Sequence, residues 1–199
     1  MFSGIVEAVM PITSSQELVN AYRIQIKKPN EFNDIKLGDS IACDGVCLTV
    51  EAFDENQMTF ALAAETIKVL KWDPVQWLGK RINLERSLRF GDRIHGHLVT
   101  GHVDSLGKIT RAELDGESFF LDVEVASTIL PFVWKKGSIT LNGVSLTVNE
   151  LNNSTVSVCL IPETLKRTNL GDIKVGGTIN VEPDYMARAI QRSMEVRKD

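Results

Sequence analysis

Cysteine is scarce, at three residues in 199 and an odd number. That is too few for the disulfide frameworks that staple small secreted domains, so a reducing compartment, the cytoplasm, is expected. No apolar run approaches the roughly 18 residues that a membrane-spanning helix needs. Charge is not gathered into blocks of one sign: 22 Lys+Arg stand against 26 Asp+Glu, a formal net charge of −4. The basic stripe of a nucleic-acid or anionic-membrane binder is missing. The opening MFSGIVEAVMPI has neither a basic n-region nor a long apolar h-region and does not read as a secretion signal. GxSxG, P-loop and GxGxxG motifs are absent, which leaves hydrolase, NTPase and dinucleotide-binding readings without a foothold. What is present is ordinary globular material, 43% hydrophobic and 24% charged, enough for a core.

The chain repeats itself. Residues 40–66, SIACDGVCLTVEAFDENQMTFALAAET, and 138–164, SITLNGVSLTVNELNNSTVSVCLIPET, agree without a gap at 10 of 27 positions, an offset of 98. The offset is 97 at the start, where MFSGIVEAVMPI aligns with LVTGHVDSLGKI from Leu98, and again where GKRINLE aligns with GGTINVE. Two homologous halves follow, about 1–96 and 97–183, with a tail over 184–199. A repeat this long is a domain pair, since solenoid repeats are much shorter.

Each half reads as β. GVCLTVEAF and GVSLTVNEL are rich in Val, Leu and Thr and follow Asp44-Gly45 and Asn142-Gly143, the dipeptides of tight hairpins. FFLDVEVAS alternates apolar with acidic residues, as a half-buried strand does. Short strands with frequent Gly, Asn and Asp turns predict small antiparallel barrels, an all-β fold. The tail differs: Met186, Ile190 and Met194 recur every four residues behind Pro183 and Asp184, which predicts a helix with a narrow apolar stripe. Such a stripe needs cover, from the chain's own barrels or from another copy.

All three histidines lie in HGHLVTGHVD. His95 and His97 share a strand face, but His102 falls on the other, and Cys43 and Cys47 lack CxxC spacing, so no metal site is expected. His95 and His97 read as hydrogen-bonded strand or linker positions. His102 stands where the first half has Ile5, Ser145 where it has Cys47, and Pro162 where it has Ala64. The halves share a frame and place different groups at equivalent points. Histidine for isoleucine is a costly exchange if the position is a core. Cys47 by itself reads as a small buried hydrophobe.

Together MFSGIVE, the doublet GVCLTV and GVSLTV, NLERSL, GHLVTGHVD, and IPETLKRTNLG followed by INVEPD closely resemble the riboflavin synthase family of the α-chain type, built from lumazine-binding domains. The match runs through essentially the whole chain in order. The resemblance implies two six-stranded Greek-key barrels in tandem plus a C-terminal helix, and a homotrimer held partly by those helices. It implies dismutation of two 6,7-dimethyl-8-ribityllumazine molecules to riboflavin and 5-amino-6-(D-ribitylamino)uracil, the last step of riboflavin biosynthesis, with no added cofactor. Two identical substrates held by two similar barrels would react in fixed orientation, an advantage of roughly 7–11 kcal/mol.

By the same resemblance, the first-barrel pocket comprises Gly4, Ile5, Val6, Cys47, Leu48 and Thr49 with the stretch Ala61, Leu62, Ala63, Ala64, Glu65 and Thr66. The second comprises Gly101, His102, Val103, Lys136, Ser145, Leu146 and Thr147 with Cys159, Leu160, Ile161, Pro162, Glu163 and Thr164. His102 is expected to move a proton, Cys47 and Ser40 to assist addition at C7, and Lys136 and Asp184 to fix ribityl or ring polar groups. Thr49 and Thr147 would read the pyrimidine edge. The first half departs from the pattern at AAETIKVLKWDPVQWLG, with Trp72 and Trp77 expected as local core. The alternative is a non-catalytic lumazine- or flavin-binding chromophore carrier on the same frame. The resemblance leaves association with lumazine synthase open.

Overall fold

The computed structural model describes residues 1–71 and 77–196. Trp72, Arg197 and the side chain of Glu65 lie outside the described residues. The first half forms β1 (Ala8–Leu18), β2 (Ala21–Lys27), β3 (Ser40–Cys43), β4 (Val46–Phe53), β5 (Gln57–Ala63) and β6 (Arg81–Arg86). They close into an antiparallel barrel in the order β1-β2-β5-β4-β3-β6. The second half forms β7 (Ser105–Asp115), β8 (Ser118–Glu124), β9 (Ser138–Leu141), β10 (Val144–Asn152), β11 (Thr155–Leu160) and β12 (Thr178–Pro183), closed in the corresponding order β7-β8-β11-β10-β9-β12.

Local chemistry explains the match between the halves. The β3–β4 and β9–β10 hairpins turn at Asp44-Gly45 and Asn142-Gly143, where both residues take positive φ (47° and 81°; 46° and 79°), as a type I′ turn requires. Register shifts recur at equivalent places, between Ile12 and Ser14 and between Ile109 and Arg111, and again at Val50/Ala52 and Val148/Glu150. Such bulges bend a strand, which lets six of them close a ring. Inward residues fill each lumen: Ile24, Ile41, Leu48, Met58, Phe60 and Leu84 in the first, Leu121, Val123, Leu141, Val148, Val158 and Val181 in the second. With the interiors packed, a ligand has to sit on the outside of a barrel.

Outside the barrels stand the helices α1 (Ala64–Leu70), α2 (Pro162–Arg167) and α3 (Tyr185–Val196). Asp184 caps α3 by accepting the Met186 backbone N–H at 2.8 Å. α3 touches the rest of the chain at the 3₁₀ turn Leu130–Phe132, and Arg188 pairs with Asp104. The stripe is bare: Met186, Ile190 and Met194 are each more than half exposed. Trp77 packs at the edge of the first core with the Lys80 ammonium 4.4 Å from its ring centre.

The barrels meet across a pseudo-twofold axis on which equivalent residues face each other. Phe2 and Val99 exchange both backbone hydrogen bonds, at 2.8 and 3.1 Å. Gly45 and Gly143 approach so closely that a Cβ on either would lie under 3 Å from the other's backbone nitrogen. Asn83 Nδ2 donates to the Asn142 carbonyl and Asn180 Nδ2 to the Asp44 carbonyl, each at 2.8 Å.

Candidate functional site

The outer faces of β3 and β4 carry Ser40 opposite Thr49 and Ala42 opposite Cys47. The outer faces of β9 and β10 carry Ser138 opposite Thr147 and Thr140 opposite Ser145. These are small residues, and on the next strand over Ala61 and Ala63, or Cys159, continue the row while Leu62 and Leu160 point inward and are buried. Each barrel therefore presents a floor of small and hydroxyl side chains, with Ala42 and Thr140 buried and Thr49 and Thr147 exposed.

A strap of chain crosses each floor. Glu85 of β6 takes the Ser3 N–H at 2.7 Å, the Ser3 hydroxyl at 2.9 Å and the Gly4 N–H at 3.0 Å. Glu182 of β12 holds the Thr100 N–H and hydroxyl and the Gly101 N–H in the same way, at 2.8, 2.7 and 3.0 Å. Burial raises the Glu85 carboxyl above its ordinary value, and these donors pull it back. The straps then land on the opposite barrel. The Ser145 N–H donates to the Gly4 carbonyl, and the Cys47 N–H to the Gly101 carbonyl, both at 2.8 Å. A Cβ on Gly4 would lie 2.6 Å from Ser145 Cβ, and one on Gly101 would lie 2.6 Å from Cys47 Cβ. Both glycines also have positive φ, 76° and 80°, so only glycine fits without strain.

The straps cross between the barrels, which the sequence grouping did not include: Gly4 lands on the second barrel, whose core includes Val6, and Gly101 on the first, whose core Val103 borders, whereas Ile5 also lines a cavity with Ser40 of the first barrel. The reason is the axis, which carries each strap over its neighbour's floor. His102 is exposed and Ile5 is 44% exposed, so the His-for-Ile exchange sits at two open positions and not in a core.

The remaining candidates divide between the two floors. Ser40 borders a cavity of about 790 Å³ together with Ile5, Arg86 and His95. Cys47 packs on Phe2, Ala42 and Val99, an apolar patch. Lys136 takes φ 70° at the entry to β9 and donates its N–H to the Val148 carbonyl at 2.7 Å, matching Gly38 and Val50 in the first half. It therefore stands beside Thr147. Ile161, Pro162 and Glu163 are exposed at the start of α2, and Thr164 is half-buried. Ala64 and Thr66 occupy the corresponding first turn of α1.

His97 is a hydrogen-bonded linker position, as its sequence suggests, and its partners are two side chains of the second floor. Its ring spans Ser145 Oγ at 2.8 Å from Nδ1 and Thr140 Oγ1 at 3.1 Å from Nε2. Burial pulls its pKa below the ordinary histidine value, and the charge of Asp184 partly offsets this. Asp184, whose charge opposes this shift, is the residue that caps α3.

The lumazine binding domain family matches this chain twice, over residues 3–87 and 100–184. Riboflavin synthase of Bacillus subtilis (strain 168) is 37% identical over 199 residues, covering 98% of this chain and 92% of that protein. Riboflavin synthase of Mycobacterium tuberculosis (strain ATCC 25618 / H37Rv) is 39% identical, covering 98% of each. The chain belongs to the riboflavin synthase family. Among solved structures, LumP complexed with riboflavin superposes with a TM-score of 0.82 at 21% identity, over 92% of this chain and 99% of LumP. LumP complexed with 6,7-dimethyl-8-(1'-D-ribityl) lumazine gives 0.80 at 20% identity, over 92% of this chain and 98% of LumP. At that identity the LumP likeness speaks for the riboflavin synthase double-barrel fold alone. The two family matches begin at the straps, Ser3 and Thr100, and end just past the strands that grip them, β6 and β12.

Proposed function

We propose that this protein is a riboflavin synthase that joins two 6,7-dimethyl-8-ribityllumazine molecules. One gives a four-carbon unit to the other, producing riboflavin and 5-amino-6-(D-ribitylamino)uracil. The observation that carries this reading is the pair of equivalent outer floors, each roofed by a glycine strap from the opposite half, in a chain that is 34–39% identical to riboflavin synthases over essentially its whole length. Two like floors suit two like substrates, and their different polar groups suit a reaction in which one molecule donates and the other accepts.

In the first floor, the exposed His102 moves a proton to or from the 7-methyl group or a ribityl hydroxyl. Cys47 and Ser40 lie along the same face and assist addition at C7. In the second, Lys136 and Asp184 hold ribityl or ring oxygens, and Thr147 reads the pyrimidine edge as Thr49 does in the first. Residues 1–96 and 97–183 form the two lumazine-binding units, and 184–199 the assembly segment. The bare stripe of α3 supports a homotrimer in which the first barrel of one chain faces the second barrel of the next. The three cysteines support a cytoplasmic setting.

Purified protein incubated with the lumazine should develop flavin absorbance without any added cofactor. Tight lumazine binding with no flavin formed would instead make it a chromophore carrier. His102→Gln should lower turnover at least tenfold while leaving the fold intact, and unchanged turnover would remove His102 from the mechanism.

A further inference from the structure

We infer that Thr140, His97 and Ser145 form a one-way hydrogen-bond chain that presents the Ser145 hydroxyl as a donor to the ligand on the second barrel. Thr140 and His97 are then positioning residues, and Ser145 is the group that touches substrate. The inference rests on the reaction proposed above.

The direction follows from counting donors. The Thr140 hydroxyl sits on a residue that is 1% exposed, and His97 Nε2, at 3.1 Å, is its partner among the described residues. A buried hydroxyl hydrogen needs an acceptor, so Thr140 donates and Nε2 accepts. Burial keeps the ring neutral near pH 7, even with Asp184 nearby. A neutral imidazole carries one proton, which this arrangement places on Nδ1. Nδ1–H then donates to Ser145 Oγ at 2.8 Å. The serine's own hydrogen is left over, with no acceptor for it among the described residues.

The surroundings aim that hydrogen outward. A Cβ on Gly4 would lie 2.6 Å from Ser145 Cβ, and one on Gly96 would lie 2.7 Å from both Ser145 Cβ and Oγ, so two backbones hem the side chain in. Ser145 stays only half-buried, on the outer face of β10 beside Thr147. Each donor in such a chain strengthens the next. The chemistry that fits is an oxygen or nitrogen acquiring negative charge, as in a lumazine ring that has lost its 7-methyl proton or is being attacked. The first floor carries no such chain: Ala42 replaces Thr140, and Cys47 packs on Phe2, Ala42 and Val99. The two floors therefore differ in kind. The second stabilises the more negatively charged partner, and a serine held as an acceptor from histidine is not a nucleophile.

Two measurements test this. Nitrogen NMR of the wild-type protein reports the tautomer, with the His97 signals identified by their loss in His97→Gln; Nδ1–H is expected, and Nε2–H overturns the chain. In steady-state assays, Thr140→Val keeps the shape and removes the hydroxyl, and kcat should fall at least tenfold with KM within about twofold. Thr140→Ser keeps the hydroxyl and should retain most of the activity. The reverse order, with Val active and Ser impaired, would mean that Thr140 only packs, and would refute the proposal. Should Thr140→Val not fold, the wild-type tautomer decides. A wild-type protein that makes no riboflavin would instead sink the reaction reading, and the tautomer would still report on the chain.

Discussion

Asp44 is a carboxylate in a place built for amides. It lies 1% exposed at the junction of the barrels, where its Oδ1 accepts the Asn83 N–H at 2.7 Å and Asn169 Nδ2 at 2.8 Å. Its twin in the second half is Asn142, whose Oδ1 accepts the Asn180 N–H at 2.9 Å. Burial pushes the Asp44 carboxyl from 3.8 up to about 7, against the pull of the Asn83 N–H, Lys80 and Asn169. A folded-state value above the unfolded one means that folding favours the protonated acid. That stability is complete below about pH 3.8 and is lost as pH rises through about 7. Asp44→Asn carries no such dependence. Its advantage over the wild type should grow from near zero at pH 4 to at most roughly 4 kcal/mol at pH 8, measured by urea denaturation. A difference that does not change with pH would show that folding does not raise the Asp44 carboxyl above its unfolded value.

At the scale of elements, the segment from α2 through the 3₁₀ turn Asn169–Asp172 acts as a clasp from the second half onto the first. The Asn169 N–H donates to Asn83 Oδ1 at 2.7 Å, Asn83 Nδ2 returns to Asn169 Oδ1 at 2.9 Å, and Asn169 Nδ2 also reaches the Arg81 carbonyl at 3.1 Å. Asn169→Ala leaves several buried groups without partners and should cost roughly 2–4 kcal/mol, read as a lower urea midpoint. A loss under half a kilocalorie would show the clasp to be replaceable by water. The run IPETLKRTNLG was visible in the sequence as one that the first half does not copy, but its purpose was not. A sequence compared with itself shows which positions match, whereas Asn169 works by reaching residues 86 and 125 positions away.

At the scale of the whole molecule, α3 leaves Met186, Ile190 and Met194 to solvent, an apolar stripe on a helix held at one end by Arg188. If that stripe joins copies of the chain, Met186→Glu combined with Ile190→Glu should shift sedimentation from trimer toward monomer while the barrels keep their melting behaviour. Riboflavin formation should fall with assembly, because the productive site would lie between chains. The β content, the halves and the hairpins were all legible, since GVCLTV and GVSLTV repeat both the alternation and the turn that make them strands. The crossing of the straps at Gly4 and Gly101 between barrels was not, because an alignment places each strap with its own half and carries no sign of the axis. His97 was legible as a hydrogen-bonded position, but its partners Thr140 and Ser145 were not, since they lie 43 and 48 positions away.

The contact of Gly45 with Gly143, and of Phe2 with Val99, is the self-complementary kind that joins identical subunits. In a true dimer any mutation there strikes twice, since both copies change together. Covalent fusion lifts that constraint, and a single buried acid at position 44 can face an amide at 142 where a symmetric pair would have brought two carboxylates together.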